Sequence, residues 1–363
     1  MTAQTRNAGG DHTSDSVTIE LRGPASLPLR IAHPLSYNTL RRGVNGLVWL
    51  SRLRPVHGRT AIFAPVELAD PLARVLVPPR GTRRRAVAFD RFRAEWVWNA
   101  NTVDPQRVQD AAILYFHGGV FIAGGLNSHR RIVARIARES GMPLLNVDYR
   151  QMPWAHLTET IEDAVRAYQY LLDEGFEPER IIFAGDSAGG GLAFTIALEA
   201  RNRGLPIPGG IVAIAPWANL DSTDKLTHPN NAIDPLLSAE ALAIPAAWGI
   251  AVDGKLDPML SPVNRDFTGL PPVLIQVGST EVLRADADQL AQCCAEAGVE
   301  CRVQVWDKAI HVFHAAADIL PDARAAIREI GEFNQRVVHG EVSAWLAPRP
   351  RLRDRIFRRR MAT

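Results

Sequence analysis

The sequence predicts an α/β protein: a mostly parallel central sheet flanked by helices, with a helical cap. Three observations carry this. From about residue 110, short apolar runs alternate with longer segments of helical period. One of those runs ends in a serine between glycines that opens a helix. Residues 218–270 break the rhythm with no clear strand, and an insertion beside the carboxyl ends of strands is where a cap or pocket forms.

The elements follow in order. Residues 1–16 are small, polar and aperiodic, and predict disorder. Residues 35–53 place Leu40, Val44, Leu47 and Val48 at loosely helical spacing among Arg41, Arg42 and Arg52, which predicts an amphipathic helix. Residues 59–85 are rich in Pro and Arg and predict irregular chain, with Arg83-Arg84-Arg85 as a solvated charge run. Residues 86–98 alternate as strands do. Strands are then expected at 111–116, 143–147, 181–184, 211–215, 272–277 and 300–305. Helices are expected at 129–139, 158–172, from Ala188 onward, at 239–248, 283–297 and 322–337. The expected organisation is an N-terminal disordered and cap or irregular region (1–105), a catalytic domain (106–340) with a cap insertion at about 218–270, and a basic tail (341–363).

Composition narrows the function. At 363 residues, with 47% hydrophobic and 22% charged side chains, the chain can bury a large core. A net charge of +2 gives no global reason for a nucleic-acid partner. Three cysteines, Cys293, Cys294 and Cys301, are odd in number and wrongly spaced for a zinc site, so core thiols are expected. The N-terminus has no apolar signal-peptide core, and no run is long enough to cross a membrane, so the expectation is cytoplasmic.

The chemistry-bearing stretch is Gly185-Asp186-Ser187-Ala188-Gly189, which fits G-x-S-x-G. Alone it is weak, since the pattern arises by chance in roughly one chain in ten of this length. The apolar strand before it and the helical pattern after it strengthen it. A serine hydroxyl is a poor nucleophile and needs a base, an acid that orients the base, and donors for the oxyanion. Of ten histidines, only His311, His314 and His339 lie beyond the last strands. His311 sits in the loop leaving the final strand, so it is the expected base, with His314 as runner-up in a supporting or surface role. Glu281 lies just past the strand at 272–277 and is the expected acid. Asp286 is the alternative; it and Asp288 fall within the next helix, where solvated or capping roles are expected. His117-Gly118-Gly119-Val120-Phe121 follows the first core strand, and the N–H groups of Gly118, Gly119 and Ala188 are the expected oxyanion donors. His117 itself is expected to hold the turn. Val120, Phe121, Asp186 and Trp217 are candidate substrate contacts.

These residues resemble the α/β-hydrolase superfamily and, within it, the hormone-sensitive-lipase-like esterases. The resemblance rests on His117-Gly-Gly-Val-Phe121, Gly185-Asp-Ser-Ala-Gly-Gly190, Asp148-Tyr-Arg150, the Gly278–Arg284 acid loop and Asp257-Pro258…Ser261-Pro262, and spans about residues 105–338. It implies the α/β-hydrolase fold, a cap built from N-terminal helices plus the insertion, and hydrolysis of carboxylic esters through an acyl-enzyme without metal or cofactor. Three departures stand out: Val120 replaces the third glycine of the glycine box, Gln151-Met-Pro-Trp154 replaces L-A-P-E, and Glu281 stands where most members carry Asp.

The expected reaction is hydrolysis of short- to medium-chain acyl esters by a serine hydrolase. Acyl transfer or deacetylation by the same residues, and a non-catalytic small-ligand binder on this fold, are the competing readings. The tail carries seven arginines between Arg349 and Arg360 against one acid, Asp354. That pattern suits a solvated end or weak contact with an anionic membrane surface. The sequence leaves homodimerisation, through an edge strand or the last helix, open.

Overall fold

The computed structural model describes residues 16–52 and 69–346. The disorder expected at the N-terminus and the basic tail from Arg349 lie outside the described residues, as does residues 59–68 of the stretch expected to be irregular.

The core is built from strands that are mostly apolar and buried along almost their whole length. These are β4 (Ala112–Phe116), β5 (Leu144–Asp148), β6 (Ile181–Asp186), β7 (Gly210–Ile214) and β8 (Val273–Gly278). Strands buried on both faces read as continuous hydrophobic runs, which is why these were legible. They run parallel, joined to β9 (Cys301–Trp306) beyond β8. Successive side chains alternate between two cores: Leu114 and Phe116 of β4 enter one, Ile113 and Tyr115 the other.

The edges are where the sequence was harder to read. β1 (Val17–Arg22) pairs in parallel with β9, while β2 (Thr82–Ala88) and β3 (Arg93–Asn99) form an antiparallel ribbon on β5. The described sheet thus has nine strands, in the order β1-β9-β8-β7-β6-β4-β5-β3-β2. Three of them come from the segment before residue 106. The arginine run is part of β2 rather than irregular chain. Arg84 meets Glu95 at 3.2 Å and Arg85 meets Asp104 at 3.0 Å. Cations along an edge strand also discourage pairing with another sheet.

Helices cover both faces. α1 (Leu27–Ser36) and α2 (Arg42–Arg52) are joined by a wider turn at Tyr37–Arg41 into one N-terminal arm. The arm starts earlier than the sequence suggested. Pro28 sits in the first turn, where no N–H is needed, and Pro34 is accommodated inside α1. α3 (Leu126–Ser140) and α8 (Pro321–Val338) pack on one face; α4 (Leu157–Asp173), α5 (Ala188–Asn202) and α7 (Arg284–Glu296) pack on the other. α6 (Ala239–Pro245) lies in the insertion, which contains short helices and no sheet strand. The three cysteines are free, with Cys294 and Cys301 buried in the core.

One polar contact pins the insertion to the sheet edge. Asp286 of α7 is fully buried, not solvated as expected. Its Oδ2 accepts the N–H groups of Ala218 and Asn219, at 2.9 and 2.8 Å. Its Oδ1 accepts from Lys225 Nζ at 3.0 Å, and Lys225 is equally buried. Asp288, by contrast, pairs with Arg284 on the helix surface. Removing one member of a buried pair strands the other charge, so Lys225→Met is expected to cost about 3–5 kcal/mol. The half-exposed Arg166–Asp173 pair is the comparator, and Arg166→Ala is expected to cost less than about 1 kcal/mol. Urea unfolding of the two variants checks this; equal midpoints would contradict it.

Candidate active site

The site is assembled at the carboxyl edge of the sheet. β6 ends at Asp186, and the chain turns so sharply that Ser187 takes φ 54°, ψ −121° before α5 begins. A non-glycine residue with positive φ is strained and persists only where its surroundings enforce it. Here the Ser187 N–H donates to Ile214 O at 2.8 Å, and its carbonyl accepts from the Trp217 N–H at 2.8 Å. Side chains at Gly185 or Gly189 would collide with the Phe116 carbonyl, so glycine is required on both sides of the turn.

Asp186 does not face a substrate. Its carboxylate is buried beneath the glycine loop, where Oδ1 accepts from Tyr115 Oη at 2.7 Å and from the Gly118 N–H at 3.1 Å. His129 Nε2 lies 3.4 Å from Oδ2. Burial alone would raise its pKa, but His129 and the Tyr115 hydrogen bond outweigh it and hold the group down to about 2. This corrects the reading of Asp186 as a substrate contact. The turn from β6 points its side chain back into the protein.

The same contact bears on the three N–H groups expected to receive an oxyanion. The Gly118 N–H is already committed to Asp186. The N–H groups of Gly119, Val120 and Ala188 make no hydrogen bond among the described residues. Gly119 has φ 122°, which only glycine adopts readily, and Val120 and Phe121 follow with φ 50° and 61°. Behind the loop, His117 Nδ1 donates to Gly118 O at 2.8 Å. The Tyr149 ring stacks on His117 at 4.3 Å, and its hydroxyl donates to His117 O at 2.5 Å. His117 therefore sits as the turn-holding residue that the sequence suggested.

β8 delivers Glu281 and β9 delivers His311. Glu281 is buried; Oε1 accepts the Gly278 N–H at 2.7 Å, and Oε2 lies 2.7 Å from His311 Nδ1. With Nδ1 engaged, Nε2 is the nitrogen left for a hydroxyl. Burial lowers the His311 pKa, but the hydrogen bond to Glu281 and its charge prevail, so the imidazole sits above its ordinary 6.5. Asp286 has both oxygens occupied by Ala218, Asn219 and Lys225, which leaves Glu281 as the carboxylate on His311. His314 is neither exposed nor beside Glu281. It is buried against Gln276 at 2.7 Å, and burial drives its pKa to about 3.

Two further residues, unremarked in the sequence, grip the acid loop from the insertion. Asn230 Nδ2 donates to Ser279 O at 3.0 Å and to Glu281 O at 2.8 Å. Asp234 Oδ2 accepts the Val282 N–H at 2.7 Å, while Oδ1 accepts from Leu236 and Leu237. Burial, followed by the neighbouring Glu281 charge, pushes the Asp234 pKa up to about 6. No motif marks these residues, because their partners lie about fifty positions away in the chain.

Trp217 follows β7 and is buried, its ring 5.9 Å from that of Phe121. With Leu157, Leu192, Leu220 and Leu260 the two rings line a narrow apolar cavity beside the first turn of α5. A roomier cleft, lined by Asp70, Arg93, Asp148 and Trp154, lies behind the glycine loop and includes none of Ser187, Glu281 or His311. Among the described residues, no group of three or more His, Cys, Asp or Glu could hold a metal.

Comparison with known proteins agrees with this arrangement. A family profile described as the alpha/beta hydrolase fold matches residues 113–315. Esterase LipU of Mycobacterium tuberculosis is 38% identical over 275 residues, covering 74% of this chain and 92% of its own. An acetyl-hydrolase of Streptomyces hygroscopicus is 38% identical over 240 residues, covering 66% and 78%. Among solved structures, an esterase from the bacterial hormone-sensitive lipase family superposes with a TM-score of 0.70 at 31% identity, covering 82% of this chain and 97% of that one. EstE5, in a crystal soaked with p-nitrophenyl butyrate, superposes with a TM-score of 0.69 at 34% identity, covering 75% and 91%. The chain therefore belongs to the alpha/beta hydrolase fold family, among the hormone-sensitive-lipase-like carboxylic ester hydrolases.

Proposed function

We propose that the protein is a serine carboxylesterase that cleaves short- to medium-chain acyl esters through an acyl-enzyme. The observation that carries this is the 2.7 Å contact between Glu281 Oε2 and His311 Nδ1, on loops that leave the same sheet edge as the Ser187 turn. In this reading His311 Nε2 takes the proton from Ser187 Oγ as the oxygen attacks the ester carbonyl. Glu281 holds the ring in the productive tautomer and stabilises the imidazolium. The N–H groups of Gly119, Val120 and Ala188 receive the oxyanion; Gly118 instead anchors the loop through Asp186. Val120 can take this place despite its side chain, because the backbone N–H does the work. His311 then protonates the departing alkoxide, and a water activated by the same imidazole releases the acid.

That the relatives include proteins named acetyl-hydrolases supports a small acyl group. The cap in this proposal comprises the N-terminal arm and residues 218–270. Acyl transfer remains the second reading, distinguished by whether added alcohols or amines capture the acyl group in place of water.

A p-nitrophenyl ester series from acetate to palmitate tests the proposal. Activity is expected to peak at the short end. Ser187→Ala should lower kcat by about 10⁴-fold or more, and Glu281→Gln by about 10²–10⁴-fold. A fluorophosphonate should label Ser187 in the wild type; a folded protein that hydrolyses esters without that label would overturn the assignment.

The pH profile is a separate test. His311 acts only when neutral, so kcat/KM should fall as pH drops through its pKa, with an acid limb centred above 6.5. Glu281→Gln removes the charge that favours the imidazolium, so its limb should move to lower pH even though the plateau is reduced. An unchanged limb in that variant would separate Glu281 from His311.

A further inference from the structure

The N-terminal arm is built inside out. A helix on a protein surface normally turns its apolar stripe to the core and its polar face to water. Here the residues that meet the rest of the protein do so mainly through polar groups. Ser36 Oγ donates to Pro235 O at 2.9 Å, Tyr37 Oη to Ala232 O at 3.1 Å and Arg41 to Asn231 O at 2.7 Å. His33 Nε2 meets Thr280 Oγ1 at 2.9 Å. Leu29 is the one large apolar side chain of residues 27–49 that is fully buried. Val44 and Val48 are half-buried, and six face outward: Leu27 is 67% exposed, Ile31 59%, Leu35 61%, Leu40 56%, Leu47 67% and Trp49 60%. Leu27, Ile31 and Leu35 are spaced four apart and form one stripe along α1. Of the four apolar residues of the expected amphipathic helix, Val44 and Val48 are half-buried while Leu40 and Leu47 are exposed.

A contiguous apolar patch of this kind needs a covering partner. The charge of the arm points to which one. No Asp or Glu occurs between Glu20 and Glu67, while Arg30 and Arg42 are exposed beside the apolar residues. A second copy would meet this face with the same arginines and no acid to pair with them. An anionic lipid surface supplies both an apolar layer for the leucines and phosphate groups for the arginines. We propose that the arm formed by α1 and α2 docks on the surface of an anionic phospholipid bilayer, with Leu27, Ile31 and Leu35 inserted at the headgroup boundary. The arm touches Thr280, next to Glu281, and residues 231–235, which continue into the Asp234 grip on the acid loop. Docking therefore brings the lipid to the acid side of the site. Only the consequence for lipid-borne esters rests on the proposed esterase activity; docking itself does not.

Vesicle flotation of the full chain tests the docking. Vesicles of equal parts phosphatidylcholine and phosphatidylglycerol should carry the protein, and vesicles of phosphatidylcholine alone should carry much less. The triple variant Leu27→Gln, Ile31→Gln, Leu35→Gln should bind the anionic vesicles about ten-fold more weakly or less, with an unchanged circular-dichroism melt. A second variant, Leu40→Gln with Leu47→Gln, is read in the same way should the first unfold. The full chain with the arginines of residues 349–360 changed to glutamine should keep most of its binding. Wild-type flotation by the folded glutamine variants, or loss of all binding in the tail variant, would overturn the proposal, as would no flotation of the wild type. A dimer seen by light scattering that the triple variant dissolves, without vesicle binding, would assign the face to a second copy instead.

Discussion

Asp186 holds a negative charge in the interior, directly beneath the residue proposed as nucleophile. A buried carboxylate is costly unless hydrogen bonds and a cation replace its water. Here the replacements come from three elements: Tyr115 from β4, the Gly118 N–H from the glycine loop and His129 from α3. Satisfying that one charge therefore fixes the glycine loop against the serine turn. It also decides which backbone groups stay available, since the N–H spent on Asp186 is unavailable to an oxyanion. The stacked Tyr149 and His117 rings brace the other side of the same loop.

Buried acids recur as the means by which the strandless insertion is attached. Asp286 and Lys225 fasten its first residues, while Asp234 and Asn230 hold its middle to the loop that carries Glu281. The insertion is thus positioned by directional polar contacts at the sheet edge as well as by apolar packing. The Glu281–His311 contact inherits that dependence. A shift of residues 230–237 would move the backbone on which Glu281 sits, which ties the geometry of this insertion to the contact on His311. The N-terminal arm extends the same chain of contacts outward through Ser36, Arg41 and His33.

The legible parts of this protein were those written in local pattern. The central strands could be found because burial on both faces favours apolar runs, as in residues 181–184 and 211–214. The serine turn could be found because its sharpness demands glycine at 185 and 189. Chain order along a parallel sheet then pointed to Glu281 and His311, each just beyond a strand. The edge strands were harder: β1 mixes Thr18, Glu20 and Arg22 with its apolar residues, and the arginines of β2 hide a strand within a charge run.

By itself, then, the sequence determined the fold class, the serine turn and the two loops that meet as Glu281 and His311, because apolar period and glycine placement are local constraints. Only the tertiary structure decided which way side chains point once those elements pack. It turned Asp186 inward, spent the Gly118 N–H, buried His314 and Asp286, and brought Asn230 and Asp234 onto the acid loop. It also turned Leu27, Leu35, Leu40 and Leu47 of the N-terminal arm outward. Each of these depends on partners far apart in the chain, and helical or strand spacing specifies a face without saying which face meets the core.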